Sequence, residues 1–175
     1  MELQFTPFPE LTTGRLLLRQ PESHDDIALL RIRSDDEVRR YIQRPKNSLE
    51  DVQQFIQKVR QGIAANENLY WVIIHRETQE LMGTFCLWNL SAANNSAEIG
   101  YELHPDYQHQ GYMQEAITAV IDYAFHTMKA GMITAFTVEE NQASIRVLER
   151  NHFLKAPPEM QEEAEDDGII YILNR

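Results

Sequence analysis

The chain has a single cysteine, no long apolar run and a shortage of positive charge. Its one cysteine, Cys86 among 175 residues, excludes an internal disulfide. Cys86 sits between Phe85 and Leu87 and reads as a small buried hydrophobe rather than a nucleophile. No apolar stretch approaches the roughly 20 residues that span a bilayer. The start, Met1-Glu-Leu-Gln-Phe5, lacks the basic and apolar segments of a signal peptide. A soluble, cytoplasmic chain with no membrane partner is expected. Lys and Arg number 16 against 27 Asp and Glu, for a net charge of -11. This argues against a nucleic-acid partner, because such binding rests on basic side chains displacing counterions from phosphates. Any anionic ligand must then be held by local donors, whereas the overall field favours a protonated amine. The six histidines show no metal-ligand spacing with cysteine or acids, so no metal is expected.

What is present is an ordinary globular composition, 43% hydrophobic and 25% charged, in a chain long enough to bury a substantial core. No repeat or linker divides it, so residues 1–175 are expected to form one domain. Leu16 to Arg19 reads as a short strand. Ser23 with Asp26 has the pattern of a capping box, opening a helix to about Ile32. Ser48 opens a second helix, with Val52, Phe55, Ile56 and Val59 at helical spacing. Tyr70 to His75 and Leu81 to Leu90 read as a hairpin, and Gly83 predicts a bulge or a close backbone approach. Glu98 to Leu103 and Ile133 to Val138 are further strands, with Ile169 to Leu173 as the last. Pro157-Pro158 breaks the chain, and the acid-rich Glu159 to Asp167 reads as a solvated turn. The fold class is mixed α/β.

The most informative stretch is His104-Pro-Asp-Tyr-Gln-His-Gln-Gly-Tyr-Met-Gln-Glu-Ala116. A strand runs into a polar turn, and a helix opens at Gly111 with Met113, Ala116, Ile117, Val120 and Ala124 on one face. Such a junction sets unpaired N–H groups at the positive end of a helix dipole, where an anion is favoured. About thirty residues on, Asn141-Gln-Ala-Ser-Ile-Arg-Val-Leu-Glu149 reads as a second capped helix, with Asn141 and Ser144 satisfying its first N–H groups.

With these two stretches the chain resembles the GNAT superfamily of acyl-CoA N-acyltransferases, and within it the RimJ/RimL type that acetylates ribosomal-protein N-termini. The resemblance runs from Thr12 to Phe153. It includes Thr13-Gly-Arg-Leu-Leu-Leu-Arg19, His24-Asp-Asp26, Leu81-Met-Gly83, Glu98-Ile-Gly-Tyr101, and the two stretches above. It implies a central, mostly antiparallel sheet splayed at a parallel strand pair and flanked by helices. It implies acetyl-CoA as co-substrate, direct transfer to a primary amine, and by family habit a homodimer. The family's loop pattern maps onto Gln108-His109-Gln110-Gly111-Tyr112-Met113, so amides from about His109 to Gln114 would cradle the pyrophosphate. His109 and Met113 depart from the small residues frequent there. The resemblance places the pantetheine arm between the Glu98 and Ile133 strands with Leu103 as backbone partner, and sets Asn141 beside the arm. It sets Ser144 near the sulfur, able to return a proton to the thiolate. Asn151-His152-Phe153 stands where the family often has Leu-Gly-Phe, so Asn151 or His152 must take a glycine's turn geometry.

Acetyl transfer needs a neutral amine, a donor for the developing oxyanion and a proton for the thiolate. Glu98 is the leading candidate base, with a structural carboxylate as the equal alternative reading. An N–H near Leu103 is the natural oxyanion donor, and Tyr101, His104 and His109 are weaker acid–base candidates. For the acceptor, a protein N-terminus, an antibiotic or a polyamine all stay open, as does a non-catalytic coenzyme sensor. Arg39-Arg40-Tyr41 and Tyr70-Trp71 are candidate pocket lining or core.

Overall fold

The computed structural model describes residues 1–162, 164 and 168–175. It is built on one eight-stranded sheet: β1 (Leu11–Thr12), β2 (Leu16–Arg19), β3 (Leu69–His75), β4 (Leu81–Ser91), β5 (Ser96–Leu103), β6 (Met132–Val138), β7 (Leu154–Lys155) and β8 (Gly168–Asn174). The spatial order is β1-β2-β3-β4-β5-β6-β8-β7, and only β5 and β6 run parallel. The helices are α1 (Asp26–Arg33), α2 (Asp36–Arg39), α3 (Leu49–Ala64), α4 (Tyr112–Asp122), α5 (Gln142–Arg150) and α6 (Pro158–Gln161). This is the expected mixed α/β sheet with one parallel pair.

Strand alternation divides the core between the two sheet faces. Val72 and Ile74 pack with Leu29 of α1 and with Val52 and Ile56 of α3. Trp71, Ile73, Phe85 and Ile99 face the other way, toward Met113, Ala116, Ile117 and Val120 of α4 and Ile145 and Leu148 of α5. The second helix starts at the capping box read from sequence, Ser48 with Asp51. Gly83 follows a register shift between Ile73 and Ile74, and a Cβ there would lie 2.3 Å from the Glu102 carbonyl oxygen. Bulge and close approach are therefore both present.

Some expectations need correction. The first capping box is Glu22 with Asp25, one residue earlier than Ser23 with Asp26. The cause is tertiary: the Arg19 guanidinium holds the Asp25 carboxylate with two bonds of 2.8 Å and so fixes it inside the turn. Burial alone would raise that carboxyl's pKa, but Arg19 and the Glu22 N–H hold it below the usual range. Pro158 does not simply break the chain; it starts the one-turn helix α6, where a proline's missing N–H costs nothing. Trp71 is core, fully buried with its indole N–H on the Pro9 carbonyl at 2.7 Å. In the acid-rich stretch, Glu163 and 165–167 lie outside the described residues.

Candidate active site

The parallel pairing of β5 with β6 runs from Ser96↔Met132 to Ile99↔Ala135 and then stops. Both strands continue, β5 still paired to β4 through Leu103 and β6 still paired to β8 through Val138. They therefore diverge, and each leaves one backbone edge open to the gap. The phase of the β4–β5 ladder is fixed by the His104 N–H, which donates to the Met82 carbonyl at 2.9 Å. Even-numbered residues of β5 thus turn their polar backbone toward β4, and Tyr101 and Leu103 turn theirs toward the gap. The Leu103 carbonyl accepts from the Gln108 side chain at 2.9 Å, which leaves the Leu103 N–H facing the opening.

Beyond Leu103 the chain makes a 3-10 turn, Pro105–Tyr107, capped by the His104 side chain, whose Nδ1 accepts the Asp106 N–H at 3.2 Å. His104 is buried and structural here. The loop then reaches α4 through two left-handed residues, His109 at φ 61° and Gly111 at φ 80°. The N–H groups from Gly111 to Gln114 at the head of α4 have no partner among the described residues; the first satisfied one in the helix is Glu115, bonded to the Gly111 carbonyl. Free amides at the head of an eleven-residue helix make an anion cradle built from main chain. Met113 is buried in the core and His109 is exposed, so neither of the two unusual side chains has to fill the cradle.

A staple from the turn between β1 and β2 holds this loop. The Arg15 guanidinium donates to the Gln110 carbonyl at 3.0 Å and to Glu115 at 2.8 Å, and lies 4.3 Å from the centre of the Tyr112 ring. Thr13 and the Arg15 N–H also bond Glu115. Burial would raise this carboxyl's pKa, but these donors hold it below the usual range. Arg15 is a residue that sequence reasoning missed. Its only signal was membership of the Thr13-Gly-Arg stretch, which carries no hint of the loop a hundred residues away.

On the α4–α5 side of the gap, the Tyr101 hydroxyl lies 2.9 Å from Ser144 Oγ. Tyr101 stacks on Phe85, and burial pushes its phenol up to about 12 against the opposing effect of Ser144. The pair is therefore fully protonated at neutral pH. Asn141 caps α5, its side-chain oxygen accepting the Ser144 N–H at 3.2 Å, and so fixes where Ser144 points. At the far end of α5, His152 takes the left-handed turn at φ 66°, while Asn151 forms a reciprocal amide pair with Gln114.

The opposite sheet face carries Glu98, Gly100 and Glu102, set against Trp88, Cys86 and Thr84 of β4. This face floors a cavity of ≈ 580 Å³ that also meets Tyr101, Asn141 and Ser144 at the strand divergence. Glu98 accepts from Asn89 Nδ2 at 2.8 Å. Asn89 stands at φ 45° beside the β4 register shift, and this bulge aims its amide at the carboxylate. Burial raises the Glu98 pKa, and the Asn89 bond offsets part of the rise. Glu102 is tied to Arg44 at 2.6 Å. Burial pushes the Cys86 thiol up to about 12, so it is neutral and unreactive near pH 7. Tyr41 and Tyr70 line the cavity; Arg39 and Arg40 do not. Among the described residues no helix is long and apolar enough to cross a membrane, and no cluster of three His, Cys, Asp or Glu could hold a metal.

The cavity thus brings together Glu98, Tyr101, Asn141 and Ser144, with Leu103 two residues beyond Tyr101 on the open strand edge and the amide cradle past it. Residues 15–154 match the acetyltransferase (GNAT) domain family. The chain is 34% identical over 151 residues to the uncharacterised N-acetyltransferase YoaA of Bacillus subtilis, covering 85% of this chain and 84% of that one. A GNAT-family acetyltransferase of Bacillus anthracis superposes with TM-score 0.81 at 25% identity, over 95% of this chain and 98% of the other. The fold is also that of RimL, a ribosomal L7/L12 α-N-protein acetyltransferase solved with coenzyme A, at TM-score 0.84, 21% identity, and 95% and 98% coverage. This chain is therefore a member of the GNAT family and an acetyltransferase enzyme.

Proposed function

We propose that the protein is an acetyl-CoA-dependent N-acetyltransferase that transfers the acetyl group directly to a primary amine. The observation that carries this reading is the divergence of β5 from β6, with a main-chain anion cradle at one end and a carboxylate and a hydroxyl pair at the other. The residues fit the coenzyme. Amides from His109 to Gln114, with Gly111 allowing close approach, match a pyrophosphate, and the open edge of Tyr101 and Leu103 matches an extended amide-bearing arm. Gln108, Gln110, Tyr112 and Met113 contribute through the backbone they hold in place, and Asn141 through its position at the gap. Bound there, acetyl-CoA supplies an activated thioester.

The chain's own groups then have defined tasks. Glu98, with its raised pKa, takes a proton from the acceptor's ammonium, directly or through water. The Leu103 N–H is the donor positioned for a developing oxyanion. Ser144, backed by the Tyr101 phenol, holds the proton that the departing sulfur requires. Protein N-termini, as in RimL, and small amines are both primary-amine acceptors of this kind. The test is coenzyme A release from acetyl-CoA in the presence of a primary-amine panel, with coenzyme binding followed by calorimetry. Tight coenzyme binding and amine-dependent release are expected; absence of binding overturns the reading.

A further inference from the structure

The mouth of the acceptor cavity is apolar. Of the seven large hydrophobic residues exposed among the described residues, four line this one cavity: Tyr41, Ile42, Trp88 and Phe136. Trp88 is 46% exposed and Phe136 45%. Solvent-facing aromatic surface concentrated at a single opening marks a contact surface, whereas isolated exposed apolar residues do not. Trp88 stands directly across the ladder from Glu98, so an indole flanks the candidate base. Gly100 sits between Glu98 and Glu102 on this face, and a Cβ there would lie 3.0 Å from the Cys86 sulfur.

The charges in the cavity restrict what enters. Glu102 is neutralised by Arg44, whereas the only side-chain hydrogen bond to the Glu98 carboxylate among the described residues comes from a neutral amide. One free carboxylate accommodates one ammonium. The other charged groups on the walls, Arg33, Arg44 and Lys58, are cations and disfavour a second. A polyamine therefore fits poorly. A strongly acidic peptide fits poorly as well, because the chain carries a net charge of -11.

Resting on the acetyltransferase reading above, we propose that the acceptor is a monoamine. It carries one primary amine, close to Glu98, joined by a short link to a bulky aromatic or branched apolar group held between Trp88, Phe136, Tyr41 and Ile42. A free arylalkylamine and the first residue of a peptide with an apolar N-terminus share this chemistry.

The test uses the full chain with acetyl-CoA and compares phenethylamine, tryptamine, methylamine, spermidine, and short peptides beginning with Phe or with Asp. The apolar monoamines, the Phe peptide, or both are expected to exceed spermidine and the Asp peptide by about tenfold or more in kcat/KM. Which of the two apolar sources leads identifies the free amine or the peptide. Trp88→Ala is expected to lower kcat/KM for the preferred substrate by about tenfold, mainly through KM, with the Kd for coenzyme A unchanged. Trp88→Phe should restore most of the loss. A preference for spermidine or the Asp peptide overturns the proposal. So does a Trp88→Ala variant whose phenethylamine-to-methylamine ratio matches that of the parent. Coenzyme binding without turnover of any amine overturns the acetyltransferase reading itself, which distinguishes the two failures.

Discussion

At the loop that opens α4 the site offers main chain, whereas on the α1 and α3 side it offers side chains. The cradle is the backbone amides at the head of α4 plus the open edge of β5, held by the Arg15–Glu115 staple. The acceptor cavity is lined by the side chains of Glu98, Arg44, Glu102, Trp88 and Phe136, with Asn89 bonded to Glu98 from beside it. A backbone site tolerates changes of residue so long as the backbone path is kept. This explains how His109 and Met113 occupy positions that small residues often fill. A side-chain site changes its specificity with single substitutions. One fold can therefore keep its donor while its acceptor varies.

The sharpest way to break this contrast is on the side-chain half. Glu98→Gln is expected to lower kcat by about 10²–10⁴-fold while leaving the coenzyme Kd unchanged. The pH profile supplies a second measure. A base acts when deprotonated, so activity should rise with pH through the Glu98 pKa, displaced above the ordinary carboxylate range by burial. The variant should lose that limb. An unchanged profile would leave Glu98 a structural carboxylate.

A smaller effect is expected at the hydroxyl pair. Ser144→Ala and Tyr101→Phe should each reduce kcat, and the double variant should lose much less than the product of the two, since the pair acts as one proton source. Full multiplicativity in single-turnover rates would mean that the two hydroxyls act separately.

The main-chain half has its own tests. Arg15→Ala is expected to weaken coenzyme binding by about tenfold with kcat at saturation little changed, because one bond to the loop and one to Glu115 are lost. Calorimetry reads this directly, and a kcat loss without a change in Kd would contradict it. The smallest effect belongs to His109→Gly. Relieving a left-handed histidine should stabilise the fold by about 1 kcal/mol in thermal unfolding, with coenzyme affinity retained. A large loss of affinity there would make the imidazole a ligand and undo the main-chain description of the cradle.

The parts of the fold that were legible share a physical property: their causes are local. The Ser48–Asp51 box, the α3 and α4 apolar faces, the β3–β4 hairpin and the Gly111 helix start each depend on residues within a turn or a strand of one another. The elements that escaped are short and depend on partners. β1 and β7 have two residues each and exist only by pairing with β2 and β8, and α2 is a single turn capped by Asp35. The misplaced first capping box has the same origin, because Arg19 decides where Asp25 sits. In the site, the loop and the Asn141–Ser144 cap could be read because their residues are consecutive or three apart. Asn89 could not, since its role depends on a β-bulge and a left-handed backbone.

Sequence alone thus determined only the local part of the main-chain half: a strand, a polar turn with glycine, and a helix are enough to present free amides at the head of α4. The tertiary structure decided the rest. It set Arg15 under the loop, Tyr101 against Ser144, Arg44 on Glu102 and Trp88 beside Glu98. Helix dipoles and unpaired amides follow from chain direction, whereas a cavity's charge and shape depend on which distant side chains the sheet register brings face to face.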